Sequence, residues 1–187
     1  HYPATSPKRY IIIGAIIIAI IAALFLIFKP ISQTDSTPAT IKHLSNEEVF
    51  NNAITLIDSS DAAIVRKGLS ILDSLASLGY VPAIYEEALT YGWYDDEKSV
   101  KRKEVLGIET QAYLAIAYLT RIEEISDPKY PELNAQALYK LAVYYFNDNK
   151  MFKKDVDRAE RLSEMALEWA KKSGNDALVQ KISRNLQ

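Results

Sequence analysis

The sequence predicts an all-α chain: one transmembrane helix, followed by antiparallel helical hairpins stacked as a short α-solenoid. Three observations predict it. Residues 11–28 form an unbroken apolar run. From Ser45 onward, apolar residues recur at three- and four-residue intervals between capping residues, glycines and prolines, the pattern of amphipathic helices. The spacing Ala-x-x-x-x-Ala-x-x-Tyr occurs twice, at Ala83/Ala88/Tyr91 and at Ala137/Ala142/Tyr145. Recurring helical hairpins that cannot bury their apolar faces alone must stack on one another. No segment sustains period-two alternation, so no sheet is expected.

The apolar run reads IIIGAIIIAIIAALFLIF. As a helix it rises about 27 Å, close to the roughly 30 Å hydrocarbon core of a bilayer. Lys29 and Pro30 end it by charge and by helix geometry. A cleaved signal peptide is the alternative, but its apolar region spans only about 7–15 residues before a small-residue cleavage site. Here the run leads into FKPISQ, and an uncleaved anchor is expected. Lys8 and Arg9 precede the run and Lys29 follows it. The positive-inside rule then expects a cytoplasmic N-terminus and an exported C-terminal domain, as in a single-pass protein of a bacterial inner membrane. A cytosolic domain is the other orientation.

The chain thus divides into a juxtamembrane segment (1–9), a transmembrane helix (10–28), a flexible linker (29–44) and a helical domain (45–187). The linker, which reads PISQTDSTPATIKHL from residue 30 to its end, lacks helical periodicity and is rich in Pro, Ser and Thr. The opening HYPATSP is similar and begins with His1 rather than Met. The true N-terminus is therefore expected to be missing or processed, and the end of a linker from an upstream domain is one reading of this segment.

Within the domain, Ser45 and Glu48 have capping-box spacing ahead of Val49, Phe50, Ile54 and Ile57. A second helix carries Leu69, Leu72, Leu75 and Ala76 and ends at Gly79, whose left-handed conformation would close it. Pro82 opens a third. Ala83 and Ala88 are expected where this third helix approaches the second, with Tyr91 filling the wider end. YDDEKSVKRKE (94–104) reads as a charged, partly helical connection. A long helix is expected from Ile108 to Ile125, and another from Pro131. Asp155 or Asp157 then caps a helix ending at Gly174, and a last helix is expected from Asp176 to Leu186.

KGLSILDSLASLGYVPAIYEEALTY (67–91) resembles a Sel-one-like repeat (SLR), a relative of the tetratricopeptide repeat (TPR). Ala76, Gly79, Ala83, Ala88 and Tyr91 match the repeat pattern, while Gly68 stands where Ala is usual and Glu87 where Leu is usual. AQALYKLAVYY (135–145), followed by DVDRAERLSEMALEWAKKSGNDA (155–177), resembles a second, more TPR-like repeat. The segment 94–130 departs from the pattern. The resemblance implies a TPR/SLR-type solenoid that binds a protein or peptide as a scaffold or adaptor, without catalysis.

The 187 residues carry 22 basic and 24 acidic side chains, and every Asp and Glu lies beyond residue 34. A mildly acidic domain is poorly suited to nucleic acid. The absence of cysteine excludes disulfides and thiolate chemistry. His1 and His43 both lie outside the domain, so a histidine metal site or triad within it is excluded. The glycines form no phosphate loop, and no cofactor is expected. Glu86–Glu87, Asp95–Glu97 and the KSVKRKE run are expected to be solvated charged faces.

The expected binding surface lies across the first helices of the repeats. Its candidates are Tyr85 and Leu89 on one helix and Gln136, Tyr139, Val143 and Phe146 on another. Trp93 and Tyr94, after a helix end, are candidate exposed anchors, since aromatic residues dominate interface hot spots. The expected function is a membrane-anchored protein-interaction module, tethered through residues 11–28. The alternative is the C-terminal sensory or regulatory region of a larger membrane-spanning signalling protein, such as a protein kinase with its catalytic domain upstream.

Overall fold

The structure, a computed structural model, describes residues 44–93, 97–147 and 153–184. All of them fall in the unit His43–Gln187. The expected membrane helix and nearly all of the linker lie outside the described residues. Among those described, no helix is long and apolar enough to cross a membrane, and all regular secondary structure is α-helical.

Helix α1 (Asn46–Ile57) starts with the expected capping box. The Glu48 amide donates to Ser45 Oγ at 3.2 Å, and the Ser45 amide donates to Glu48 Oε2 at 2.8 Å. Two helix-start donors are thereby satisfied. Helix α2 (Ala62–Ser77) is capped by Asp61, whose Oδ1 accepts from the Ala63 amide at 2.7 Å. It closes as expected at Gly79, with φ +81°. The Tyr80 amide reaches the Leu75 carbonyl and the Gly79 amide the Ala76 carbonyl, the paired bonds of a Schellman cap.

Helix α3 (Val81–Tyr91), with Pro82 in its first turn, is enclosed on most sides. Ala83, Ile84 and Ala88 have no exposed surface. It packs against α2, α4 (Glu97–Leu106), α5 (Ala112–Ile125) and α6 (Pro131–Phe146). Helices α7 (Val156–Ser173) and α8 (Asp176–Arg184) follow. Asp155 is the cap of α7, and Gly174, at φ +70°, ends it.

Three antiparallel pairs organise the core. In α1/α2, the Phe50 ring meets that of Tyr80 beyond the end of α2, while Ile57 sits against Gly68. In α3/α5, the Gln111 amide bonds the Tyr91 carbonyl at 2.8 Å. At the other end of that pair, Ile125 lies beside Gly79. In α6/α7, the Asp155 amide bonds the Tyr145 carbonyl, and Asn175 Nδ2 bonds Glu132 Oε1.

This pairing corrects two expectations. Ala83 and Ala88 were expected at a close α2–α3 approach. Ala88, however, lies three residues after Tyr85, which reaches α6, and three before Tyr91, which stacks on Tyr118 of α5. On a helix these three share one side, so the smallness of Ala88 serves α5 and α6. Helix α2 packs against α3 as expected, and it also makes a tight contact with α1. A Cβ on Gly68 would lie 2.6 Å from Ile57 Cγ2 and 3.0 Å from the Ala53 carbonyl oxygen, which explains the glycine at this position. The expected helix from Ile108 also starts late, at Ala112. Gly107, at φ +64°, closes α4, and residues 108–111 lead across to the end of α3.

Candidate functional site

The end of α3 is tied down from three sides. Lys103 Nζ of α4 donates to the Gly92 carbonyl at 2.7 Å. The Gln111 amide, just before α5, donates to the Tyr91 carbonyl. Tyr144 Oη of α6 accepts from the Trp93 amide at 3.1 Å. Trp93 is thus held over α6, its ring 5.4 Å from that of Tyr144, with nearly half of its surface exposed.

Beside it, α6 turns Leu138, Leu141, Ala142 and Tyr144 inward. The other side of the helix presents Tyr139 and Val143, with Val143 42% exposed. Trp93, Tyr139, Lys140, Val143, Tyr144 and Asn147 line a cleft of about 320 Å³. A second hollow of about 260 Å³ continues past Tyr139 and Val143 to Phe146 and Ser163. Lys181 of α8 stands over the Tyr139 ring, 5.5 Å from its centre. The result is an aromatic and aliphatic strip along α6 with polar ends, the composition that orients an apolar ligand group.

Four of the eight candidate residues, Trp93, Tyr139, Val143 and Phe146, therefore come together. Tyr85 does not join them. It is only 6% exposed, and its hydroxyl donates to Gln136 Oε1 at 2.7 Å, bracing α3 against α6. Gln136 is further held through Nε2 by Glu132. Leu89 is half-buried and packs on the core. Tyr94 lies outside the described residues. Sequence reasoning missed Lys140, Tyr144 and Asn147. For Tyr144 a signal existed, because it lies one helical turn after the buried Leu141.

Glu97, Lys98, Lys101 and Glu104 are exposed, as expected of solvated charged faces, but a second, polar assembly overturns that expectation for Arg102 and Glu87. Arg102, from the KSVKRKE run, is 4% exposed. Its guanidinium meets Glu86 Oε2 at 2.7 Å and Asp58 Oδ1 at 3.1 Å. Burial pushes the Asp58 carboxyl upward, but hydrogen bonds and charge from Arg102 and Lys98 outweigh it and hold the group below its ordinary range. Glu87 is 2% exposed, and its Oε1 has no hydrogen-bond partner. Burial pushes its carboxyl up to about 8, aided by the charges of Asp73 and Glu86 and opposed by Arg102. Of the Asp95–Glu97 cluster, only Glu97 is described, and it is exposed.

Among the described residues, no group of three or more His, Asp or Glu is placed to hold a metal ion. No protein-family model, curated protein or solved structure matches this chain.

Proposed function

We propose that this chain is a membrane-tethered protein-interaction module, a short TPR/SLR-type α-solenoid that seats a peptide or protein segment along α6. The observation that carries this reading is the convergence of Trp93, Tyr139 and Val143 on one cleft. An aromatic anchor pinned through its backbone gives up little conformational freedom on binding, which favours affinity. Side chains of this kind form interface hot spots. The cleft is sized for one or two apolar side chains of a partner. The three antiparallel pairs and the repeated Ala-x-x-x-x-Ala-x-x-Tyr spacing support a stacked-repeat arrangement. All four repeat alanines are buried, and both tyrosines are half-buried.

Tethering by residues 11–28 raises the effective concentration of the module near membrane partners. Retention of the chain in membranes through alkaline carbonate extraction supports the anchor, and release of the chain counts against it. The binding reading is tested with Val143→Lys, which alters an exposed side chain. Pull-downs from the native membrane fraction by wild type and variant are compared, with thermal melts of both. Loss of the principal partner with an unchanged melt supports the reading, while equal recovery contradicts it.

A further inference from the structure

The second assembly offers a site that shares no lining residue with the α6 cleft. A niche of about 370 Å³ opens between α2, α3 and α5. Asp73 stands at its exposed rim, and Glu87 forms its floor. Tyr91 and Tyr118 form one wall, stacked with an interplanar angle of 11°. Ser70 and the apolar Leu69 line the side belonging to α2.

An acceptor this deeply buried without a donor is rare in native proteins, and its desolvation is uncompensated. The terminal torsion of a glutamate is broad and two-fold, and rotation about it exchanges the two carboxyl oxygens at the floor of the niche. What the niche lacks is a donor that enters from outside. A hard divalent cation takes six or more oxygen ligands, and two carboxylates beside an arginine are a poor set. A planar guanidinium seeks two parallel bonds to one carboxylate. An ammonium carries three rotatable donors, which suit acceptors arriving from different directions. Tyrosine faces attract a cation, and Leu69 and the rings can cover an aliphatic stem. Arg66 also borders the niche but directs Nη2 to the Leu106 carbonyl at 3.3 Å.

We propose that this niche binds a primary ammonium group on a short aliphatic stem, held by the Glu87 carboxylate at the floor and Asp73 at the rim, beside the Tyr91–Tyr118 pair. The stem belongs either to a small alkylamine or to a lysine side chain of a partner. The charged and titratable groups facing Glu87 are Arg66 and Asp73 of α2, Glu86 and Tyr91 of α3, Arg102 of α4 and Tyr118 of α5. With the Glu87 carboxyl at about 8, entry of the ammonium at pH 7 ionises it, and its proton leaves to solvent.

The test is calorimetric titration of the full chain in detergent micelles at pH 7, in phosphate and in HEPES. The probes are n-pentylamine and N-acetyl-lysine methylamide, with n-pentanol as the uncharged control. The expected result is binding of an amine with release of close to one proton, and none of pentanol. In Glu87→Gln, the proton release disappears and affinity falls tenfold or more, with thermal melts showing that the variant is folded. Asp73→Asn, at an exposed position, weakens binding severalfold and retains the proton release. Equal binding of the two amines assigns a small-amine ligand, and tenfold preference for the lysine derivative assigns a partner's lysine. Absence of binding by either amine, equal binding of pentanol, or unaltered binding in both variants overturns the proposal.

Discussion

Arg102 Nη1 lies 2.7 Å from Glu86 Oε2, and this contact fastens α4, the charged segment that follows α3, onto the core. The same guanidinium reaches Asp58 at the end of α1, so one side chain joins three helices. Removing one partner of a buried charge cluster leaves the others uncompensated and costs about 3–5 kcal/mol. Glu86 and Asp58 keep 21% and 37% of their side-chain surface exposed, so water recovers part of that loss. Arg102→Ala is expected to cost about 2–4 kcal/mol, and Arg102→Met less, because it retains the packing of the stem. Urea midpoints of the two variants and wild type check this. An unchanged midpoint for the alanine variant contradicts the role.

Glu87 makes stability depend on pH in the opposite sense to a salt-bridged carboxylate. Its folded carboxyl is raised to about 8 from an ordinary 4.5. Between those values the unfolded chain releases its proton and the folded chain keeps it, so stability falls as pH rises and levels off above the folded value. Glu87→Gln cannot ionise and escapes this decline. The variant should gain on wild type as pH rises from 5 to 8, by on the order of 3 kcal/mol across the window. Melting curves at several pH values check it, and a difference that stays constant would show that Glu87 is ionised in the fold.

Gly68→Ala sets helix propensity against packing. Alanine is favoured over glycine within a helix by about 1 kcal/mol. Here the new methyl group meets Ile57, Leu56 and the Ala53 carbonyl at 3.0 Å or less. Overpacking costs about 1–3 kcal/mol, and because one of these contacts is to backbone, the clash should win. The expected result is a lower melting temperature. A higher one would show that α1 can move away freely.

Ala88→Leu probes the other close approach, on the side of α3 that meets α5 and α6. A leucine has no empty volume to enter at a position with no exposed surface, and a loss of about 1–3 kcal/mol is expected. An unaltered urea midpoint contradicts the placement of Ala88.

Much of the helical layout was legible because its signals are local. The Ser45 cap, the Gly79 and Gly174 ends and the prolines at 82 and 131 each act within one turn. Partner choice was not legible, because it depends on which helices return from a distance. Gly107 and residues 108–111 return the chain so that α5 also packs along α3, antiparallel to it. Glu87 was legible in part, since it lies one residue before the buried Ala88 and one helical turn after the buried Ala83. The carboxylate was read by its charge instead of by its place. Arg102 carried no such signal, as its acceptors Glu86 and Asp58 lie 16 and 44 residues away. Among the candidate binding residues, helical spacing grouped Tyr139, Val143 and Phe146, which line one hollow. It could not reveal that Tyr85 and Gln136 satisfy each other.

The central claim, that a protein partner sits in the α6 cleft, is tested most directly by site-specific photocrosslinking. A benzoylphenylalanine replaces Val143 in the full chain in its native membrane, and the same probe at Leu78, 75% exposed and capping the end of α2, is the control. A discrete adduct at position 143 that is absent at position 78, and that weakens by about thirtyfold in affinity when Trp93 is truncated to Ala, is the predicted result. No adduct at position 143, or the same adducts from both positions, would contradict the account.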